Sequence, residues 1–304
     1  MIKELKYKIL NRNGLLDRPI VTTTSENANK WIMEGLTSDA PYMIGRLGGF
    51  ELGVAIASKT PVNLQNIWRL IKGQIVIIGW NKKTSASFCN NAGFFPNDKK
   101  LFIRFGNLME QDIPLCDILA SYGAGEKFFG NLLQNAKKIK PIDLEPFHHT
   151  TPWTKALQNK KVLIIHPYKD SIQHQWENRD RLFPNRDFLP EFDLQIIKAV
   201  QSAAGNPCGF KDWFEALDYM KHEIEQRNFD IALIGCGAYG FHLAAHVKRL
   251  GKKAVHLGGV LQILFGIMGR RWEGKYPFVN DYWIRPLQSD MIQNAKSIEN
   301  GCYW

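Results

Sequence analysis

The sequence has few cysteines, and their spacing gives no structural framework. Its 304 residues include five, at positions 89, 116, 208, 236 and 302, an odd number without a Cys-x-x-Cys pair. This pattern excludes a disulfide scaffold and a zinc ribbon, and it is typical of proteins in a reducing compartment.

Long apolar runs, repeats and low-complexity tracts are also missing. The most apolar stretch, residues 255–268, contains glycines and a histidine and is too short to span a bilayer. Residues 1–6 mix charges where a signal peptide needs an apolar run. We therefore expect a cytoplasmic protein, and leave open a peripheral contact with the inner face of a membrane.

Acidic residues are outnumbered by basic ones. There are 39 Lys and Arg against 29 Asp and Glu, which gives a formal net charge of +10. Such an excess favours phosphate-bearing partners, namely nucleic acid, nucleotides or an anionic membrane. The basic residues are spread along the chain without a clustered stripe, so we expect no nucleic-acid partner.

Buried strands alternate with helices along the chain, which predicts an α/β protein. We expect a Rossmann-like, mostly parallel sheet with helices on both faces. The strand-like runs are 42–45, 74–79, 161–167, 230–235 and 253–257, and residues 115–119 fit a strand or a short helix. The polar residues 135–160 predict a connection between an N-terminal part, 1–134, and a Rossmann-like part, 161–304. Alternatively, the chain is one continuous domain.

Residues 235–240 read Gly-Cys-Gly-Ala-Tyr-Gly, a G-x-G-x-x-G motif between a predicted strand and a helix. Such glycines let a phosphate approach the backbone N–H groups of the helix N-terminus. A dinucleotide site also needs an acidic residue at the end of the next strand. That strand ends instead in His256-Leu257-Gly258-Gly259, which counts against NAD. The alternative interpretation is that these glycines only allow a tight turn between the strand and the helix.

Polar residues follow other predicted strands. Arg46 and Glu51 bracket the turn 46–51, Arg-Leu-Gly-Gly-Phe-Glu. Beyond Gly258, an arginine pair could clamp a diphosphate and the next residue, Trp272, could stack on a base or sugar. His166 lies at the end of the strand-like run 161–167, and Ser171, Gln173 and Arg179 follow that run. Salt-bridged turns, a surface arginine pair and a capped loop are the alternative interpretations.

The 46–51 turn is similar to the Arg-Phe-Gly-Asp-Gly-Glu turn of GT-D-fold glycosyltransferases. Residues 231–259 resemble the C-terminal Gly-rich β-α-β of that family. The resemblance implies a Rossmann-like domain that transfers a sugar from a nucleotide donor to a surface glycan or glycoprotein. In the family, the Asp and Glu of the first turn help to hold a divalent cation. Here Glu51 is kept, but Gly49 stands in place of the Asp.

The resemblance also assigns roles. The acceptor would be a glycan, such as one linked to a polyprenyl phosphate. Mg²⁺ or Mn²⁺ would accompany the donor through Glu51, unless arginines replace its charge. The candidate catalytic residues are Glu51, His166 and Asp281. The candidate donor-binding residues are Arg46, Gly48, Gly49, Ser171, Gln173, Arg179, Gly235, Gly237, Ala238, Tyr239, Gly240, Gly258, Gly259, Gln262 and Arg271. Two other classes stay open: a dinucleotide-dependent oxidoreductase or epimerase, and a non-enzymatic nucleotide or nucleic-acid binding protein.

Overall fold

One parallel sheet organises the chain. The computed structural model describes residues 17–75, 77–184 and 186–304. The sheet has seven strands in the order β3-β2-β1-β7-β6-β4-β5, and each neighbouring pair is parallel. The strands are β1 Tyr42–Gly45, β2 Ile118–Ala120, β3 Lys137–Ile139, β4 Lys161–His166, β5 Asp193–Lys198, β6 Ile231–Ile234 and β7 Lys253–His256. The predicted α/β, Rossmann-like class is confirmed.

Helices cover both faces of the sheet. The α-helices are α1 Ser25–Thr37, α2 Gly49–Lys59, α3 Leu64–Ile71, α4 Lys82–Ala92, α5 Lys99–Asp112, α6 Lys169–Glu177, α7 Arg179–Leu182, α8 Trp213–Glu225, α9 Gly240–Arg249 and α10 Leu261–Leu264. Alternate side chains of one strand point to opposite faces. Leu163 of β4 joins the core beneath α2, α4, α5, α8 and α9, whereas Ile164 joins the core beneath α1, α6, α7 and α10.

Local signals explain where several helices begin. The side chain of Thr24 caps α1 by accepting the Asn27 N–H at 3.3 Å. Asp212 caps α8 in the same way through the Glu215 N–H at 2.9 Å. Helix α8 then buries the residues that recur at helical spacing, Trp213, Leu217, Met220 and Ile224.

The strand predicted at 74–79 is wrong. Residues 74–75 and 77–79 lie outside any strand, and Val76 lies outside the described residues, as do residues 1–6. Gly73 and Gly79 adopt positive φ angles of 65° and 64°. Because such angles turn the backbone out of the extended conformation, the described residues of this run lie in a connection between α3 and α4.

The stretch 135–160 contributes to the sheet. It contains β3 at one edge and three 3₁₀ turns, at Pro141–Leu144, Pro146–His148 and Trp153–Leu157. Residues 115–119 divide between a 3₁₀ turn and the start of β2. Strands from both predicted parts of the chain meet where β1 pairs with β7. Within the described ranges, no helix is long and apolar enough to cross a membrane.

Candidate functional site

A cavity of about 750 Å³ opens at the carboxyl ends of the central strands. It is bounded by Arg46 after β1, Gly258 after β7, Gly235 after β6 and His166 at the end of β4. The chain leaves β1 toward one edge of the sheet and leaves β4 toward the other. Open α/β sheets bind ligands in the crevice that such a reversal creates.

Many of the predicted site residues meet in this cavity. Those in its lining are Arg46, Gly48, Gly49, Glu51, His166, Gly235, Gly237, Tyr239, Gly258, Gly259, Gln262 and Arg271. Those outside its lining are Ser171, Gln173, Arg179, Ala238, Gly240 and Asp281. Four of the lining residues, Arg46, His166, Gly235 and Gly258, end a strand or follow one by at most two residues, whereas Arg271 reaches the cavity from farther along the chain.

Ser171 does not line the cavity; it forms hydrogen bonds with a side chain elsewhere in the fold. It is buried in the first turn of α6, where its N–H and Oγ both donate to Oδ2 of Asp290 at 2.7 Å. The Asp290 carboxylate also lies 3.3 Å from Nζ of Lys198. The Asp290 carboxylate thus accepts hydrogen bonds from the first turn of α6, where the helix N-terminus favours a negative charge.

The remaining outlying residues lie on the surface or in the core. Gln173 and Asp281 are exposed. Arg179 pairs with Asp180 at 2.8 Å and lies over the ring of Trp176. Ala238 is buried in the turn before α9. None of these contacts directs a side chain toward the cavity.

Glu51 is held at the start of α2. Its carboxylate folds back over Gly48, where an added Cβ would overlap it. Burial raises the pKa of Glu51, and its own backbone N–H and the Arg46 guanidinium partly oppose the increase. A carboxyl group with a raised pKa in a cleft is suited to proton transfer.

Arg46 spans the junction between β1 and β7. Its Nη2 donates to Oη of Tyr122 at 3.4 Å, and its guanidinium lies 5.4 Å from the centre of that ring. A Cβ added at Gly258 would touch the Arg46 side chain at 3.5 Å. This is an ordinary van der Waals distance, so glycine is favoured at position 258 by its φ of +65° and not by the space that Arg46 occupies.

The G-x-G-x-x-G turn is packed against the chain itself. A Cβ at Gly235 would come within 2.5 Å of the Gly258 carbonyl oxygen, and one at Gly240 would overlap the ring of His256. Gly237 has a φ of +57°, and an added Cβ there would lie 2.8 Å from the Ala92 carbonyl oxygen. These contacts account for all three glycines without a ligand.

Two buried histidines face the same region. Burial lowers the pKa of His166 to about 3, and the Tyr168 N–H donates to its Nδ1 at 3.0 Å. Burial, and then the nearby Arg46, lower the pKa of His256 to about 3. Both rings are therefore neutral at pH 7, and both are weak bases.

The C-terminal residues contribute a wall that the sequence did not predict. Arg271 donates to Glu299 and to Oη of Tyr303, the latter at 3.1 Å. Its guanidinium lies 4.7 Å from the centre of the Tyr303 ring. Glu299, Tyr303 and Trp304 all line the cavity. Because these residues lie about thirty positions beyond Arg271, no local motif connects them to it.

Other unpredicted lining residues come from loops. Tyr122 follows β2, Glu145 follows a 3₁₀ turn after β3, and Ser202 follows β5. The Ser202 hydroxyl donates to the Gly93 carbonyl and lies 3.0 Å from Oη of Tyr239. Each of these residues follows a strand, but the sequence predicts neither β3 nor β5 and predicts β2 only as a strand or a short helix.

The side chains near Glu51 do not fit a metal held by the protein. Within the ranges that the structure describes, no group of three or more His, Cys, Asp and Glu side chains could hold a metal ion. The Glu51 carboxylate is stabilised by its own backbone N–H and by the charge of Arg46, and Gly49 supplies no second carboxylate. Mg²⁺ prefers several oxygen ligands.

Comparison of the chain with protein-family models, curated proteins and solved structures finds no match in any of the three. The cavity and its side chains therefore carry the functional proposal.

Proposed function

We propose that this chain is a glycosyltransferase that moves a sugar from a nucleoside diphosphate donor to a glycan acceptor. One observation carries the proposal: a single turn, residues 46–51, presents a cation and a half-buried carboxyl group to the same cavity. An inverting sugar transfer from such a donor needs both, the cation for the leaving diphosphate and the carboxylate for the acceptor hydroxyl.

The leaving group is an anion, and Arg46 is placed to receive it. A guanidinium can bind phosphate oxygens in a bidentate manner. Arg271, which lines the same cavity, supplies a second cation once its bond to Glu299 is exchanged for the donor. The cavity volume lies in the range of small-molecule sites. Trp272 and Tyr303, which also line it, offer aromatic surface to a base or sugar.

Glu51 is the best placed of the three candidate bases. Its pKa is raised, so its carboxylate is a stronger proton acceptor than an ordinary glutamate. His166 lines the cavity, but its pKa of about 3 makes it a weak base. Asp281 is exposed and does not line the cavity. Glu51 would accept the proton of the acceptor hydroxyl as the glycosidic bond forms.

A dinucleotide-dependent reaction is less well supported. The Gly235–Gly240 turn, where the pyrophosphate would bind, has the Ala92 carbonyl packed against Gly237. The following strand, β7, ends at His256, which supplies no carboxylate for a ribose. Both features favour a ligand placed over β1 and β7 instead.

Thermal denaturation with nucleotide sugars tests the donor site. A matching UDP, GDP, CMP or dTDP sugar at about 100 times its Kd should raise the melting temperature by several degrees. The shift should persist in EDTA and should disappear in Arg46→Gln. Arg227→Gln, which removes a surface charge paired with Glu223, is the matched control. A shift with NAD or NADP, but with no nucleotide sugar, would contradict the proposal.

Glu51→Gln tests the base. Loss of a general base lowers kcat by about 10²–10⁴, while donor binding is kept because the amide preserves the shape of the side chain. Glu26→Gln is the control, since Glu26 occupies the first turn of α1 and is exposed. Full activity of Glu51→Gln would remove Glu51 from the reaction.

A further inference from the structure

Helix α3 carries an apolar stripe on its outer side. Leu64, Trp68 and Ile71 recur at helical spacing and are 79%, 61% and 55% exposed. Ile67 and the preceding Val62 extend the stripe and are 38% and 70% exposed. A helix on a globular protein normally turns such a stripe toward the core. Contiguous exposed apolar surface of this kind marks an interaction site.

The inward position of α3 is polar. Asn66 is the buried residue of this helix, and its Nδ2 donates to the Pro61 carbonyl at 2.9 Å. Asn63 caps the helix by accepting the Asn66 N–H at 2.8 Å. These bonds run within residues 61–66, and Asn66, rather than Leu64, Trp68 or Ile71, takes the buried position of the helix.

The sequence on both sides of α3 has charged residues of one sign. Between Glu51 and Asp98 the sequence contains no acidic residue, and its basic residues are Lys59, Arg69, Lys72, Lys82 and Lys83. Lys59 pairs with Glu110 of α5 at 2.6 Å. Lys82 and Lys83 are exposed in the first turn of α4. An apolar stripe beside basic side chains complements an anionic lipid surface.

Helix α3 also adjoins the candidate site. A second cavity, of about 370 Å³, lies between Leu70 of α3 and residues 77–81. Gly53, Ile77 and Thr84 line both this cavity and the larger one. A surface that covers α3 would therefore lie next to the larger cavity.

We propose that α3 is a membrane-binding helix, which inserts Leu64, Trp68 and Ile71 among the lipids of an anionic bilayer. The basic side chains of Arg69, Lys82 and Lys83 would face the headgroups. This binding stands without the transfer reaction. Its consequence for the acceptor rests on the proposed function: an acceptor carried on a lipid would be presented beside the cavity that holds Glu51.

Vesicle cosedimentation of the full chain tests the proposal, without any donor present. The chain should bind vesicles of phosphatidylglycerol and phosphatidylcholine more strongly than vesicles of phosphatidylcholine alone. The double variant Leu64→Glu/Trp68→Glu should lower the partition coefficient about 100-fold. Ile20→Glu/Ile142→Glu adds the same charge at exposed apolar residues elsewhere, and it should stay within about twofold of the wild type.

Several outcomes would overturn the proposal. They are no binding of the wild type to anionic vesicles, and equal losses in the two double variants. A third is a wild-type dimer that Leu64→Glu/Trp68→Glu converts to a monomer in sedimentation velocity, since the stripe would then cover a second copy. A cooperative thermal unfolding transition without donor, at the midpoint of the wild type, shows that each variant is folded. Donor-induced thermal shifts, measured separately, distinguish failure of the proposed transferase from failure of membrane binding.

Discussion

The neutral state of buried His166 predicts how stability depends on pH. This residue ends β4, is buried, and accepts the Tyr168 N–H at Nδ1. Burial lowers its pKa from 6.5 to about 3. Protonation of Nδ1 would also cost the hydrogen bond from Tyr168. In the unfolded chain neither constraint is present, and the ring takes up a proton near its ordinary pKa.

The sign and size of the effect follow from these two pKa values. Between pH 6.5 and about pH 3 the unfolded state binds one more proton at His166 than the folded state. The free energy of unfolding therefore falls as pH is lowered, by about 1.4 kcal/mol per pH unit. The contribution is nearly complete at pH 7. At pH 5 about 2 kcal/mol of it has been lost.

Urea denaturation of the wild type and of His166→Gln at pH 7 and pH 5 measures the contribution of His166 to the pH dependence of the unfolding free energy. Glutamine carries no titrating group and retains an oxygen that can accept a hydrogen bond. The decrease in unfolding free energy from pH 7 to pH 5 should be smaller in the variant by about 2 kcal/mol. Asn91→Ala, at another lining position, should keep the wild-type decrease. If His166→Gln loses as much stability as the wild type over this range, the ring is not held neutral.

Two further substitutions test the cavity wall and the glycine turn. Glu299→Gln releases Arg271 from its ion pair and removes a negative charge, so donor affinity should rise about two- to fivefold in a titration; weaker binding would refute this. Gly237→Ala should lower the urea unfolding free energy by about 1–3 kcal/mol more than Gly251→Ala. Both have positive φ, but only Gly237 meets the Ala92 carbonyl, so equal losses would refute the contact.

The central strands could be predicted because their local sequence is sufficient. Strands β4, β6 and β7 are short, buried apolar runs, and each is found within a residue or two of its predicted range. The edge strands β3 and β5 are half polar, and they owe their conformation to pairing with β2 and β4. That pairing joins distant parts of the chain. The run at 74–79 has the composition of a strand, yet its described residues, 74–75 and 77–79, are not among the paired strands of the sheet.

The same distinction applies to the candidate site. Arg46, Gly235 and Gly258 could be predicted together, because residues directly after parallel strands meet at one edge. Nearness in sequence to β4 predicts Ser171 at this edge too, but the chain enters α6 at Lys169, and Ser171 bonds to Asp290 instead. Tyr303 reaches Arg271 from the far end of the chain, a contact that no local pattern encodes.

Helix α3 shows why periodicity alone does not identify a surface. The spacing of Leu64, Trp68 and Ile71 is that of a core-facing helix, and the sequence contains nothing that reverses it. The buried position of the helix belongs instead to Asn66, whose amide donates to the Pro61 carbonyl. The fold therefore leaves Leu64, Trp68 and Ile71 in water. Insertion into a bilayer would remove these side chains from water without any change in the fold.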